Sequence, residues 1–293
     1  VELEREDGST AVAGEAKAFD PRTLLIGELG LDGSVRPVAG ILPIALACRR
    51  VGITAMILPA SNVAEASVVP GLALLPVRHL MDVLKHILAQ EPIVAYDRAT
   101  RTPDVRAESP GNDLALVHGL ATAKRGLEVA AAGGHNLLFV GPPGSGKSLL
   151  AKAVPTILPA MTTDEQLEAT VVHSVAGLLA SDGGLLRERP FRSPHHSASD
   201  VALVGGGATP RPGEVSLAHR GVLFLDEFPE FARGVLESLR QPLEDGVVTV
   251  SRAAGSVTFP ARFQLIAAMN PCPCGYWHDE SRQCTCPPGQ ILK

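Results

Sequence analysis

The segment GPPGSGKS, from Gly141 to Ser148, combines residue types that bind phosphate. Its glycines let the backbone turn tightly and direct N–H groups at phosphate oxygens. Lys147 supplies a cation for the β- and γ-phosphates, and the Ser148 hydroxyl can coordinate Mg²⁺. An apolar run precedes the segment and an amphipathic run follows it, so the helix that begins there adds the positive end of its dipole. The pattern predicts a phosphate-binding loop rather than a structural glycine-rich turn. Its contact residues are Gly141, Pro142, Pro143, Gly144, Ser145, Gly146, Lys147, Ser148 and Leu149.

Two adjacent carboxylates, Asp226 and Glu227, follow the apolar run GVLFL directly. In a parallel sheet, ligands bind at the carboxyl ends of the strands. A carboxylate there can hold the Mg²⁺ ion that Ser148 also contacts, so Asp226 is the predicted second magnesium ligand. Glu227 can polarise an attacking water molecule, since this catalysis is mostly positioning and electrostatics. The alternative is a pair of solvated acids at a strand end.

A further polar side chain, Asn270, ends the apolar run FQLIAAM. An amide at that position can hold the nucleophilic water or a γ-phosphate oxygen. The alternative is an asparagine that begins a turn before Pro271. The predicted catalytic residues are Lys147, Asp226, Glu227 and Asn270.

Four of the five cysteines lie between Cys272 and Cys286, in the order Cys-x-Cys, nine residues, Cys-x-Cys. Four thiolates so close in sequence can bind a tetrahedral Zn²⁺ ion, in a structural role that braces the strand end at Asn270. The spacing differs from the commoner Cys-x-x-Cys pattern, so unmetallated thiols and partial ligation stay open. The predicted zinc ligands are Cys272, Cys274, Cys284 and Cys286. The fifth cysteine, Cys48, lies in an apolar helical pattern and is predicted to be a small core residue.

The elements that position these groups alternate between strand and helix. The runs are HNLLFVG, SLLAKAVPTIL, GVLFLDE, ARGVLESLRQPLED and FQLIAAMN, and they predict an α/β domain with a parallel sheet wrapped by helices. Upstream, LLIGELGLDGSVRPV predicts a hairpin around Asp32-Gly33. GILPIALACRRVG predicts a helix that ends at Gly52, TAMILP a buried strand, and VRHLMDVLKHILAQ an amphipathic helix.

The chain divides into four predicted parts. Residues 1–20 are polar without clear periodicity and are expected to be poorly ordered, and residues 21–91 form a first domain. Residues 92–111 carry three prolines and mixed charges, which is typical of a linker. Residues 112–293 form the α/β domain.

Composition limits the classes of function. The formal net charge is −5, so no global basic field indicates nucleic acid, and any such surface must be local. No run of about 18 uncharged apolar residues is present, which argues against a membrane span and a membrane partner. The start of the chain lacks a secretory leader pattern, so a cytoplasmic location is expected.

Several segments together resemble the magnesium-chelatase-like AAA+ ATPases, specifically the ComM/YifB family. They are the phosphate loop, LDEFPEF, AAMNPCPCG, ERPFRSPHHSASDVALVGGG, GEVSLAHRGVLFLDE and LRQPLEDGVVTVSRA, and the resemblance covers about residues 112–290. It implies ATP and Mg²⁺ as cofactors, with a Walker A loop at Gly141–Ser148, Walker B acids at Asp226 and Glu227, and a sensor-1 residue at Asn270. It also implies a homo-hexameric ring that holds ATP between neighbouring subunits, in a reducing cytoplasm where disulfides do not form.

The resemblance also implies contact with DNA. The segment from Glu237 to Phe263 resembles the pre-sensor-1 β-hairpin, and the two β-branched runs of VVTVSRAAGSVTF agree with a hairpin. In related helicases this hairpin points into the ring pore, so Arg252 at its tip is predicted to contact DNA phosphate. The alternative is that Arg252 is a single exposed surface charge.

The histidine pair His195-His196 follows a segment that resembles the helix-2 insert of the family. Adjacent residues in an extended chain seldom chelate one ion together. We therefore expect a hydrogen-bonding or subunit-interface role for the pair rather than a metal site.

The first domain resembles the C-terminal half of the Lon-protease-like fold that precedes the ATPase in this family. The likeness lies in GELGLDGSVRPVAGILPIALACRRVGITAMILP, whereas residues 1–20 match the other half poorly, so a partial Lon-like α+β domain is expected. In active Lon proteases a lysine follows the segment that matches PVAGI, and Leu42 occupies that place here. Because an aliphatic side chain cannot act as a general base, we expect no proteolysis.

Two departures from the family bear on activity. Family members often carry Gln where this chain has His118-Gly119, which affects adenine contacts. The chain also ends before the DRID-like segment and the C-terminal lid, which supply the arginine finger and sensor 2 in the family. An arginine finger is worth about 10³–10⁵ in rate. We expect a chain truncated in this way at both ends to bind ATP more readily than it hydrolyses it.

The leading functional expectation is an ATP-driven motor on DNA, resembling a branch-migration helicase in recombination during natural transformation. One alternative is a magnesium chelatase ATPase subunit that acts on protoporphyrin. Another is a non-hydrolysing ATP-binding assembly module. The Lon-like domain and the NPCPCG segment favour the motor over the chelatase subunit.

Overall fold

The computed structural model describes residues 2–4, 10–12, 20–100, 113–179, 184–207, 210–252, 255–279 and 282–291. The chain divides into two compact units. The first consists of Val1–Val105 and His173–Leu185, and the second of Arg106–Val172 and Leu186–Lys293. The sequence-based boundaries at residues 20, 91 and 111 fall partly outside the described residues and stay predictions.

The first unit is built around a three-stranded parallel sheet. The sheet has the order β3 (Thr23–Leu25), β6 (Ala55–Pro59), β7 (Ala73–Val77). Three helices accompany it: α1 (Ile41–Arg50), α2 (Val63–Ala66) and α3 (Leu80–Ile87). A short antiparallel pair, β1 (Glu2–Glu4) and β2 (Thr10–Val12), lies in the segment expected to be poorly ordered, most of which is outside the described residues.

The predicted hairpin, strand and helices of the first unit are confirmed. Strands β4 (Glu28–Leu29) and β5 (Val35–Arg36) pair antiparallel around the Asp32-Gly33 turn. Gly33 has φ +81°, and a Cβ there would lie 2.5 Å from His79 Nε2, so both the turn and the packing require glycine. The His79 side chain in turn caps α3 by accepting a hydrogen bond from the Met81 N–H.

Helix α1 buries one apolar stripe, which contains Leu42 and Cys48 as well as Ile41 and Ala45. Cys48 is therefore a core residue, as predicted, and burial raises the pKa of its thiol. Leu42 is fully buried, and its N–H donates to Glu65 Oε1 at 2.9 Å.

The described part of the expected linker packs on the first unit. The Arg98 guanidinium donates to the carbonyls of Ser67, Val69 and Leu72 at 2.7–3.2 Å. The Tyr96 N–H donates to Leu74 O at 2.8 Å. These bonds anchor the chain up to about Arg98, while residues 101–111 lie outside the described part.

The second unit is an α/β module with a wholly parallel sheet, which confirms the predicted fold class. Its strand order is β8 (Leu137–Val140), β15 (Gln264–Met269), β12 (Val222–Leu225), β9 (Phe191–Arg192). All four residues of β12 are buried, as expected for an interior strand covered on both faces. Because β15 lies between β8 and β12, the carboxyl ends of these three strands meet at one edge of the sheet.

Helices cover this sheet. The larger ones are α4 (Ala121–Gly133), α5 (Lys147–Ile157) and α6 (Thr163–Ala176), and the unit boundary falls within α6. The core joins Leu127 of α4 and Leu150 of α5 to Phe139, Phe224 and Ile266 of the strands. Shorter elements complete the unit: α7 (Asp200–Val204), β10 (Gly205–Gly206), β11 (Arg211–Pro212), α8 (Glu214–Leu217) and α11 (Pro288–Ile291).

The run ARGVLESLRQPLED forms two short helices, not one. These are α9 (Arg233–Ser238) and α10 (Arg240–Asp245). Pro242 lacks the N–H that would bond to Ser238 O, and its ring crowds that carbonyl, so the helix is interrupted at Leu239. The predicted hairpin follows as β13 (Val247–Arg252) and β14 (Gly255–Pro260), paired antiparallel.

A buried histidine joins α6 to the start of β12. His219 is 2% exposed; its Nε2–H donates to Glu168 Oε2 at 3.1 Å, and its Nδ1 accepts from the Arg262 N–H at 3.0 Å. Arg220 also donates to Glu168, at 2.7 Å. Burial lowers the pKa of His219, and the Arg220 guanidinium lowers the pKa of Glu168. Within the described residues, no helix combines the length and apolarity that crossing a bilayer requires.

Candidate functional site

The predicted phosphate loop lies between the end of β8 and the start of α5. Gly144 and Gly146 have φ +76° and +86°, left-handed conformations that glycine adopts without strain. A Cβ at Gly146 would also lie 3.1 Å from Leu120 Cδ1. Because α5 begins at Lys147, its unpaired N–H groups and the positive end of its dipole face the loop.

Lys147 is held by three oxygens at the mouth of the loop. Its Nζ donates to Gly141 O at 2.8 Å, to Pro142 O at 2.9 Å and to Asn270 Oδ1 at 3.2 Å. Burial lowers the pKa of Lys147, and the Asp226 carboxylate opposes this shift with a smaller effect. The ammonium group is thus positioned by the loop and by the end of β15.

The two predicted magnesium ligands touch. Ser148 Oγ donates to Asp226 Oδ2 at 2.6 Å, although the two residues are 78 positions apart in sequence. A serine hydroxyl and an aspartate carboxylate at one point are oxygen ligands of the kind that Mg²⁺ takes alongside phosphate and water.

Glu227 adopts a left-handed backbone conformation, with φ +52°. Its N–H donates to Asp226 Oδ1 at 3.0 Å. His196 Nδ1 lies 2.9 Å from Glu227 Oε2, and the Glu227 side chain is 57% exposed. The carboxylate therefore reaches the surface of the site, held from one side by an imidazole.

These groups line one cavity of about 360 Å³. Its lining residues are Pro143, Gly144, Ser145, Gly146, Lys147, Ser148, Leu149, Asp226, Glu227 and Asn270. Ser145 Oγ is buried and has no hydrogen-bond partner within the described structure. A buried hydroxyl without a partner is costly, so the chemistry of the loop fits a ligand rich in hydrogen-bonding oxygens. The donors of the loop and the oxygens of Ser148 and Asp226 together fit a magnesium-bound triphosphate.

The four clustered cysteines are brought together. Their sulfurs all lie within 4.8 Å of one another, and Cys272 is buried. Backbone N–H groups of Tyr276 and Thr285 lower the pKa of Cys274 to about 6. The zinc ion itself stays a prediction.

The structure says less about the function of the remaining predicted residues, which are Arg252 and the pair His195-His196. Arg252 pairs with Gly255 at the end of the β13–β14 hairpin, and its side chain is outside the described structure. The rings of His195 and His196 are tilted by 36° with centroids 4.1 Å apart, and His195 Nδ1 bonds to the Ser197 hydroxyl at 2.8 Å. Among the described side chains these histidines belong to no cluster that could hold a metal. His195 thus makes a hydrogen bond, which is one of the two expected roles, and the subunit-interface role stays a prediction.

Sequence reasoning missed three features of the site. It did not find the partner of His196, which is Glu227, or the unpartnered hydroxyl of Ser145. It also missed that Gly275, in the cysteine segment, packs against Pro143 of the phosphate loop. Gly275 has a left-handed φ of +86°. The glycine that ends NPCPCG could have suggested such a conformation, because glycine adopts it without strain.

Comparison with known proteins gives two family matches. The model of the magnesium chelatase subunit ChlI family matches residues 113–293, and a second model of the ChlI subunit of Mg-chelatase matches residues 10–62.

Several curated proteins are similar over most of the chain. An uncharacterized protein of Mycobacterium tuberculosis is 51% identical over 253 residues, covering 86% of this chain and 50% of that protein. The uncharacterized protein YifB of Escherichia coli is 44% identical over 275 residues, covering 92% of this chain and 52% of that protein. The competence protein ComM of Haemophilus influenzae is 44% identical over 271 residues, with the same two coverages, 92% and 52%.

The chain spans about half the length of these curated relatives. A shorter likeness links it to the Lon protease of Methanosarcina barkeri, 35% identical over 107 residues, or 35% of this chain and 12% of that protein. With the parallel sheet, the phosphate loop and both family matches, the chain belongs to the magnesium-chelatase-like AAA+ proteins, in their ComM/YifB group.

Proposed function

We propose that this chain binds and hydrolyses ATP as part of a ring-shaped, homo-hexameric motor that moves on DNA in the cytoplasm. The observation that carries the proposal is the shared cavity. Lys147 and Ser148 of the phosphate loop line one cavity of about 360 Å³ together with Asp226 and Glu227, which follow β12.

This geometry supports a role for each residue. The backbone N–H groups of the loop and the Lys147 ammonium group bind the β- and γ-phosphates. Ser148 and Asp226, already in contact at 2.6 Å, hold the magnesium ion. When bound, this ion neutralises charge that develops on the transferred phosphoryl group.

Glu227 orients a water molecule and accepts its proton. His196 restrains the glutamate carboxylate at 2.9 Å, so it limits the rotamers from which Glu227 acts. Asn270 bonds to the Lys147 ammonium group and so couples the end of β15 to the phosphate site.

Two observations support DNA as the partner. The β13–β14 hairpin has six paired positions and carries Arg252 in its last described pair. A cation at the end of a two-stranded ribbon can reach a DNA phosphate. In addition, one relative with 44% identity is named a competence protein, and we take that name as support for a client that is DNA.

The decisive experiment measures phosphate release by the chain with and without single-stranded or duplex DNA. We expect DNA to stimulate ATP turnover, and Arg252→Ala to reduce this stimulation while leaving ATP affinity unchanged. Arg233→Ala is the matched control, since Arg233 is an exposed arginine in α9 outside the hairpin. Equal turnover with and without DNA in a chain extended through the lid would rule out the motor function.

A magnesium chelatase subunit is the second candidate, because the matching family model is described by that activity. Turnover that responds to chelatase partner subunits and protoporphyrin, but not to DNA, would favour it. Tight ATP binding without hydrolysis, even with the lid present, would instead indicate an assembly module.

A further inference from the structure

The proposed motor leaves the four clustered cysteines unused, although the fold gathers them closely. Cys272 Sγ lies 3.3 Å from Cys274 Sγ and 3.7 Å from Cys284 Sγ, and Cys274 Sγ lies 3.6 Å from Cys284 Sγ. A tetrahedral zinc site with Zn–S bonds of about 2.3 Å has S–S edges of about 3.8 Å. A disulfide needs about 2.05 Å. The sulfur spacing therefore fits four thiolates around one ion better than it fits two disulfides.

Backbone donors surround the same sulfurs. The Cys274 N–H donates to Cys286 Sγ at 3.3 Å, and the Cys286 N–H donates to Cys284 Sγ at 3.4 Å. Such N–H···S bonds orient metal-bound thiolates and offset part of their negative charge. Both Cys-x-Cys turns therefore present their sulfurs to a common centre.

The chain from the end of β15 to Gly275 also touches the phosphate loop at three points. The Gly141 N–H donates to Met269 O at 3.3 Å, and Lys147 donates to Asn270 Oδ1 at 3.2 Å. At the third point, Gly275 packs so tightly that a Cβ there would lie 2.4 Å from Pro143 Cδ. The chain from Met269 to Gly275 thus lies along the loop and contains two of the four cysteines.

We propose that the four cysteines bind one Zn²⁺ ion, and that this ion holds the 270–275 turn against the phosphate loop so that nucleotide affinity depends on zinc. The turn is fixed on one side by β15. On the other side, contacts within the sulfur cluster tie it to residues 284–286.

Loss of the ion releases that second anchor. Four thiol groups without a metal make only weak S–H bonds, so the turn gains freedom. Pro143 then loses its packing on Gly275, and Lys147 loses Asn270 Oδ1, one of the three acceptors that position its ammonium group. A loop that must be ordered when it binds nucleotide binds more weakly than a preorganised one. The coupling rests on the proposed nucleotide binding, whereas the zinc site does not.

The zinc site is tested on the purified 293-residue chain by elemental analysis and by Co²⁺ substitution. We expect one zinc per chain and, with cobalt, the visible absorption of a tetrahedral sulfur site. Cys284→Ser should lose both, while Cys48→Ala, which removes the buried cysteine of α1, should keep both. Absence of bound zinc and of the cobalt spectrum in the unsubstituted chain, or disulfides found by thiol titration under reducing conditions, would overturn the proposal.

The coupling is tested by titrating a fluorescent ATP analogue with Mg²⁺ in excess. Zinc is removed from the folded, unsubstituted chain with a chelator that prefers zinc to magnesium, and is then restored. We expect removal to weaken nucleotide binding by about tenfold or more, and restoration to reverse the loss. Gly275→Ala should weaken binding while it keeps its zinc, because the added methyl group displaces Pro143.

The possible failures are distinguishable. Equal nucleotide affinity with and without zinc would refute the coupling even where zinc is bound. No nucleotide binding by the zinc-loaded chain would refute the proposed ATP site, and the coupling with it, but would leave the metal count standing. The chelation experiment needs no substitution, so a variant that fails to fold does not decide the outcome.

Discussion

Replacing Lys147 by alanine tests the cation at the centre of the proposed ATP site. The side chain is partly buried and fixed by three oxygens, so its charge is directed at one place in the cavity. Two opposite unit charges about 4 Å apart interact by about 4 kcal/mol at an effective dielectric constant of about 20. Since about 1.4 kcal/mol is a tenfold change, Lys147→Ala should weaken ATP binding by about a thousandfold.

The assay is a titration of each variant with a fluorescent ATP analogue, together with a melting temperature for each. Lys152→Ala is the matched control, because Lys152 is an exposed lysine in the same helix, between one and two turns further on. It should bind within about twofold of the unsubstituted chain. Binding by Lys147→Ala within about threefold of the unsubstituted chain, at an unchanged melting temperature, would refute the electrostatic reasoning.

Three further predictions concern catalysis, packing and pH. Glu227→Gln keeps the shape of the side chain, so ATP affinity should be unchanged. Phosphate release should fall by about 10²–10⁴-fold, the usual contribution of a general base. Hydrolysis at the normal rate would refute the water-activating role of Glu227. Phe224 is buried, and its ring stacks on that of Phe191 with centroids 6.0 Å apart. Phe224→Ala removes this ring, so it should lower the unfolding free energy by about 3–5 kcal/mol in a urea titration. A loss below about 1 kcal/mol would contradict the packing described. His219 has a pKa below its ordinary 6.5 in the folded chain, so the unfolded chain takes up its proton first and stability falls as pH drops through that value. Glu168, whose pKa lies below 4.5, adds a further loss at lower pH. His219→Gln should reduce the loss of unfolding free energy between about pH 7 and 5.5, whereas His118→Gln, a control at an exposed site, should not. Parallel curves of unfolding free energy against pH for the two variants would refute the role given to His219.

The spatial arrangement of the site residues could be predicted from sequence where they are neighbours in the chain. The glycines, Lys147 and Ser148 occupy consecutive positions with a strand before and a helix after, so local conformation alone brings them together. Asp226 could be predicted because it ends a buried apolar run, and the carboxyl end of such a strand is where a parallel sheet binds its ligands. These predictions needed no knowledge of the order of strands in the sheet.

The remaining features depend on contacts between distant parts of the chain. The place of β15 between β8 and β12 is set by two long-range pairings, in which Ile266 pairs with Leu137 of β8 and Gln264 pairs with Val222 of β12, and periodicity encodes neither. The His196–Glu227 contact depends on the pairing of β9 with β12, and the packing of Gly275 on Pro143 depends on the pairing of β15 with β8, so neither could be found before the strand order was known. The break between α9 and α10 at Leu239 has a local cause, because Pro242 lies within the segment ARGVLESLRQPLED. The spacing of its apolar residues alone favoured one helix.

The positive φ of Glu227 bears on how this position can evolve and be engineered. A residue with a Cβ needs about 1–2 kcal/mol to adopt that conformation, and glycine or asparagine adopts it more readily. The protein thus has an amino acid poorly suited to this backbone conformation at the position where the proposed hydrolysis needs a carboxylate. Selection for thermal stability alone should therefore favour Gly or Asn at position 227. The resulting protein would be more stable but would lack the proposed ATPase activity.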